Sequence, residues 1–274
     1  MTRQLALIGF GEAGATFACA AQWGGGAAAF DIDPTRKAVM AGHGVIAAED
    51  AAAALADAPL ILSLVTADQA LSAAMAAAPL LEKGAIWCDM NSVAPQTKRA
   101  AAAAIEGAGG RYADVAVLAP VNPARLNVPL LVAGDVADDA VAALGALGFA
   151  NVRAVGAEVG RASAIKMIRS VMVKGIEALT AEMMLAAEAA GVADEVLASL
   201  DRSERSQPWR ERAAYNQERM MQHGLRRAAE MEESARTLVS LGVDPVMTKG
   251  TIHRQRAAAS QPAGMAASER STGT

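Results

Sequence analysis

Aromatic side chains make up only 3% of this 274-residue chain, and it has two cysteines, three histidines and six lysines. Cys19 and Cys88 cannot build a disulfide framework, and no CxxC spacing offers a metal site. A reducing compartment, the cytoplasm, is therefore expected. Positive charge is not in excess either. Twenty-five Lys and Arg face 29 Asp and Glu, a net charge of -4, which argues against a dedicated nucleic-acid binder. No apolar run approaches the roughly 20 residues of a membrane helix. A leader peptide is the one alternative to weigh. Met1-Thr2-Arg3, the apolar Leu5-Ala6-Leu7-Ile8 and Ala18-Cys19-Ala20 have its outline, but Glu12 and the glycines at 9, 11 and 14 break the apolar stretch.

Alanine is abundant: 68 residues, in a chain 53% hydrophobic. Alanine favours helix and lets helices approach closely, and the length suffices for a sizeable core. Residues 1–155 alternate short apolar runs with Ala-rich stretches. The runs are Gln4–Ile8, Ala27–Ile32, Leu60–Val65, Ala85–Asp89, Tyr112–Val117 and Leu130–Ala133. Such runs, bounded by Gly, Pro and Asp, read as buried parallel strands with helices between them, an α/β arrangement.

After Asn151 the pattern turns helical. Between Gly160 and Gly191, Ala162, Ile165, Ile168, Val171, Met172, Ile176 and Leu179 fall at helical spacing. One helix about 45 Å long is expected there, at about 1.5 Å per residue. Shorter helical patterns run over 193–200, 209–221 and 226–241, with Gly242 and Pro245 as a stop. The organisation expected is a Rossmann domain over 1–155, an all-helical substrate and dimerisation domain over 156–256, and a disordered Ala/Ser/Gly/Pro-rich tail over 257–274.

The strand at Gln4–Ile8 leads straight into Gly9-Phe10-Gly11-Glu12-Ala13-Gly14. This is G-x-G-x-x-G between a strand and a helix. Gly9 permits the tight turn, Gly11 lets a pyrophosphate approach the backbone, and Gly14 lets helix and strand pack closely. The helix N-terminus presents unpaired N–H groups to the phosphates. A second strand ends at Phe30-Asp31-Ile32-Asp33. Asp31 stands where an acidic side chain accepts the ribose hydroxyls. A carboxylate there repels a 2′-phosphate and so favours NAD. Arg36 and Lys37 stand close enough in sequence to admit NADP. The adjoining candidates for the cofactor are Ile32, Val65, Thr66 and Asn91.

Three later segments narrow the reading. Leu60-Ile-Leu-Ser-Leu-Val-Thr66 is a strand ending in a small polar residue. Asp89-Met-Asn-Ser-Val-Ala-Pro95 follows the next strand. Gly160-Arg-Ala-Ser-Ala-Ile-Lys166-Met-Ile-Arg-Ser170 opens the long helix. Together with the glycine loop they resemble the β-hydroxyacid dehydrogenase superfamily, which includes 6-phosphogluconate and 3-hydroxyisobutyrate dehydrogenases. The Asp89 segment is similar to that family's D-x-S-T-x-x-P substrate loop. The 160–170 segment is similar to its G-x-x-x-K-x-x-N-N helix, which implies Lys166 as the catalytic lysine. The 226–233 and 245–248 segments resemble a branch with a short helical domain of unassigned function. Departures from the family pattern are Asn91 for the first Ser, Arg169-Ser170 for the paired Asn, and Asp114-Val-Ala-Val-Leu-Ala-Pro120 for D-x-P-V-S-G-G. Leu118 and Ala119 cannot donate the hydrogen bond that Ser would.

The resulting expectation is an NAD(P)-dependent oxidoreductase that moves a hydride between the nicotinamide and a small anionic hydroxy acid or its oxo form. Lys166 acts as general acid/base, with neighbouring Ala and Ile to lower its pKa. Asn91, Ser92, Ala119, Pro120, Arg169 and Ser170 surround the substrate, Arg169 facing an anionic group. Lys174, eight residues on, is a second candidate base. The arginine-rich stretch 202–227 is interleaved with glutamates and reads as solvated ion-paired helix faces. A homodimer through the helical domain is expected, with no metal, membrane or nucleic acid. Imine reduction on the same scaffold, and a dinucleotide-binding sensor without turnover, remain alternatives.

Overall fold

The computed structural model of the chain describes residues 4–203 and 206–260. The chain divides into two compact units, Met1–Val171 and Met172–Thr274. In the first, eight strands form one sheet: β1 Leu5–Ile8, β2 Ala27–Phe30, β3 Ile46–Ala47, β4 Leu60–Ser63, β5 Ile86–Asp89, β6 Arg111–Val117, β7 Leu130–Ala133 and β8 Val152–Ala154. Their order is β3-β2-β1-β4-β5-β6-β7-β8. The chain winds outward from β1 through β2 to β3, then crosses to β4 on the other side of β1. That reversal is where open α/β sheets bind ligands.

Strand side chains alternate between two buried layers. Leu5, Leu7, Leu60, Leu62 and Cys88 pack against α1 (Glu12–Ala21) and α6 (Ala137–Ala146) through Phe17, Ala18, Ala140 and Leu144. Ala6, Ile8, Ile61, Trp87 and Tyr112 pack against α3 (Ala51–Leu55), α4 (Ala70–Ala77) and α5 (Pro95–Gly107) through Leu55, Ala74, Ala101 and Ile105. Burial on both faces explains why the strands read as continuous apolar runs. The remaining helix here is α2, Arg36–Gly42.

Two corrections to the expected sheet follow. β7 runs antiparallel to β6, because residues 118–129 connect them with a single 3-10 turn, Arg125–Asn127, in place of a crossover helix. Strands β3 and β8 escaped the sequence, since two and three residues at the sheet edges carry too little pattern.

The long helix α7 spans Arg161–Ala190 and crosses the division between the units. The second unit continues with α8 Ala193–Ser203, α9 Trp209–Ser240 and α10 Val246–Ala259. The two patterns expected over 209–221 and 226–241 are one helix. Gly224, which interrupts the pattern, serves packing: a Cβ there would run into the Gln255 carbonyl of α10. Glu182 accepts from Met247 N (2.6 Å), Thr248 N (2.9 Å) and Thr248 Oγ1 (2.6 Å), capping the start of α10. Of the tail expected to be disordered, residues 257–259 complete α10, and 261–274 lie outside the described residues, as do Glu204 and Arg205 of the arginine-rich stretch. Among the described residues, no helix is long and apolar enough to cross a membrane.

Candidate active site

The three glycines occupy distinct environments after β1. Gly9 has φ +91°, and a Cβ there would stand 2.5 Å from the Leu64 carbonyl oxygen. Gly11 has nothing within 4 Å of such a Cβ, so its backbone borders open space at the start of α1. Gly14 packs against the Gly9 carbonyl and the Phe10 ring. A tight turn, an open approach and a close helix contact are therefore all present, and they fit a pyrophosphate on the α1 N-terminus.

Beside Gly9 and Gly11 opens a cavity of about 480 Å³, also bordered by Asp31, Ile32, Arg36, Val65 and Thr66. Asp31 is tied to the backbone: Oδ2 accepts from Phe10 N at 2.6 Å and Oδ1 from Asp33 N at 2.9 Å. It thus holds the glycine loop against the end of β2. The Thr35 hydroxyl and amide hold the Asp33 carboxyl below its usual range, and Arg36 pairs with it at 3.5 Å. Lys37 instead pairs with Glu49 at 2.5 Å, so of the two cations near Asp31 it is Arg36 that borders the cavity. The Phe10 side chain is fully buried, and only its amide serves the loop.

Leu64 and Val65 also wall a second cavity, of about 390 Å³. Glu12, Ala13, Asn91, Ser92, Ala119, Pro120 and Lys166 border it. Lys166 Nζ, from the second turn of α7, donates to Ser92 Oγ. Asn91 is braced rather than free: Oδ1 accepts from Val65 N (2.8 Å) and Nδ2 donates to Ser63 Oγ (2.9 Å). It couples the end of β5 to the end of β4. Arg169 and Ser170 border neither cavity, and Arg169 Nη1 donates to the Leu118 carbonyl at 3.3 Å.

Beneath this cavity the sheet turns polar. Register places Ser63, Asp89 and Asp114 side by side across β4, β5 and β6, all three fully buried. Lys98 of α5, also fully buried, reaches the Asp89 carbonyl (2.5 Å), Asp89 Oδ1 (2.9 Å) and Asp114 Oδ1 (3.5 Å). Tyr112 donates its hydroxyl to Asp89 Oδ2 at 2.7 Å. Burial, with the Asp89 charge beside it, pushes that phenol far above its ordinary range. Burial likewise pushes the Cys88 thiol up to about 12, so it stays protonated and unreactive. Sequence reasoning missed Lys98. The signal was present: Lys98 precedes Ala101, Ala102 and Ile105 at spacings of three, four and seven, on the buried stripe of α5.

An eight-stranded doubly wound sheet with a glycine loop at its switch point defines a dinucleotide-binding Rossmann protein on a dehydrogenase or reductase scaffold. Residues 4–148, more than half of the chain, match the NAD binding domain of 6-phosphogluconate dehydrogenase, and the chain belongs to that family. Residues 187–258 match a domain of unknown function, DUF1932. A conserved hypothetical protein from Sinorhizobium meliloti 1021 is 38% identical over 97% of this chain and 91% of its own, with a TM-score of 0.63. A conserved protein whose structure was described as similar to 3-hydroxyacid dehydrogenases is 30% identical over 93% and 96%, with a TM-score of 0.61. A V8 variant of an imine reductase from Myxococcus stipitatus, solved with NAD+, shares the fold at 20% identity over 93% of both chains, TM-score 0.75. No curated protein matches the sequence. The cofactor class is thereby established as NAD(P).

Proposed function

We propose that the protein transfers a hydride between NAD(P) and a small hydroxy acid or its oxo form, with Lys166 as general acid/base. The observation that carries this reading is the contact of Lys166 Nζ with Ser92 Oγ, in a cavity that shares its Leu64–Val65 wall with the cofactor cavity. Gly11 and the α1 N-terminus would receive the pyrophosphate, and Asp31 the adenosine ribose. A bound nicotinamide supplies or accepts the hydride. The chain handles the proton. As an ammonium, Lys166 donates to the substrate oxygen as it becomes an alkoxide; as an amine, it takes that proton in the reverse direction. Ser92 Oγ orients the amine and can hydrogen-bond the same oxygen. Arg169, which holds the Leu118 carbonyl and borders neither cavity, is not needed to touch the substrate in this reading.

Imine reduction is a second reading, favoured by the cavity lining. Met90, Val117, Ala119, Pro120 and Val121 offer no side-chain donor to a carboxylate. Both readings are tested by nicotinamide absorbance with NADH and NADPH against 2- and 3-hydroxy acids, their oxo forms and cyclic imines. Lys166→Ala should lower kcat by about 10²-fold or more. Near-normal kcat in Lys166→Ala would refute the assignment. Tight NADH binding without turnover on any substrate would favour the sensor.

A further inference from the structure

We propose that Lys98 and Asp114 are positioning residues that bring Lys166 and Ser92 together. The inference rests on the reading of Lys166 as the proton-handling residue, but its geometry stands apart from any substrate. Asp114 Oδ2 accepts from Gly160 N (3.0 Å), Ser163 N (3.0 Å) and Ser163 Oγ (3.1 Å), so one buried carboxylate grips the first turn of the helix that carries Lys166. Its other oxygen accepts no hydrogen bond among the described residues and lies 3.5 Å from Lys98 Nζ. Lys98 also holds the Asp89 carbonyl and carboxylate. Asp89 Oδ1 accepts from Asn91 N at 3.0 Å, which fixes the turn leading to Ser92.

One ammonium thus ties together the two segments that must converge, residues 89–92 and the start of α7. The cluster carries two carboxylates and one ammonium, all fully buried. Its residual negative charge faces the α7 N-terminus, where the amides and helix dipole offset it. Losing Lys98 would leave two unpaired carboxylates in the interior, and these would draw in water or protons and release both segments.

The test reads Lys166 directly. Full-length protein is acetylated with a trace of acetic anhydride at fixed pH, and the reactivity of Lys166 is taken by mass spectrometry relative to exposed Lys83. Ser92→Ala removes the partner of Lys166 and should change the ratio threefold or more. Lys98→Met should change it in the same direction by a comparable factor. Ser163→Ala, which removes one Asp114 contact and spares the ion cluster, should produce a smaller change of the same sign and serves if Lys98→Met does not fold. A wild-type ratio in a folded Lys98→Met protein, or in both Ser variants, overturns the proposal. Turnover that survives Lys166→Ala would defeat the acid/base reading while leaving this ratio meaningful.

Discussion

Gly9 and Gly11 stand two positions apart in one loop, yet an alanine would meet different surroundings at each. At Gly9 the positive φ alone costs about 1–3 kcal/mol, and the new Cβ collides with the Leu64 carbonyl. Gly9→Ala should therefore lower the thermal midpoint as well as abolish NADH binding. At Gly11 the backbone is unstrained and the space open. Gly11→Ala should unfold at nearly the wild-type temperature but bind NADH at least about tenfold more weakly, a loss of about 1.4 kcal/mol, read by NADH fluorescence titration. Equal melting losses in the two variants would contradict this account of the loop. Asp31 combines two tasks in the same way. Asp31→Asn keeps an oxygen for the Phe10 amide while removing the charge that would repel a 2′-phosphate. The wild type should prefer NADH, and Asp31→Asn should narrow the NADPH-to-NADH ratio of dissociation constants about tenfold or more.

Among the elements, α10 depends on a single buried acid. Burial raises the Glu182 pKa, but the Thr248 hydroxyl and the amides of Met247 and Thr248 outweigh it, holding the carboxyl below the ordinary glutamate value of 4.5. A depressed folded pKa contributes stability above the unfolded value, and that stability is lost as pH falls through the folded one. The thermal midpoint of the wild type should fall as pH drops below about 4.5, while Glu182→Gln should be less stable at pH 7 and respond less to acid. The burial of Lys98 was legible in its helical spacing, but neither this cap nor the partners of Lys98 were, and for a shared reason. A carboxylate or ammonium announces its partner only when the partner is near in sequence, and here the partners lie 65 and nine or more residues away. The glycine loop, Asp31 and the β4 and β5 ends were legible because their chemistry is local. The reversal at β7 was not, since a strand buried on both faces looks alike in either direction.

At the scale of the molecule, the second unit has an incomplete interior. The 32-residue α9 buries only Gly224 and Ala228, while Met172, Ile176, Leu179, Leu185, Leu225 and Val239 of the same unit are exposed in the single chain. Apolar surface on this scale signals a partner, and a second copy is the partner we propose. Light scattering should give twice the 28.0 kDa chain mass, with Ile176→Glu or Leu225→Glu shifting the protein towards monomer. A wild-type monomer at micromolar concentration would refute the dimer.

The buried ion cluster also bears on how this family can diverge. Lys98 holds Asp89 and Asp114 together where water does not reach, so replacing any one of the three strands the others. Single substitutions should be strongly deleterious and combined ones tolerated, a case of non-additivity between touching residues. Among descendants of a common ancestor the three positions should then be inherited as a block, kept together or exchanged together for apolar residues. Apolar rim residues of the second cavity such as Ala119, Pro120 and Val121, which make no side-chain hydrogen bond to that cluster, are left free to vary one at a time and to explore new substrates.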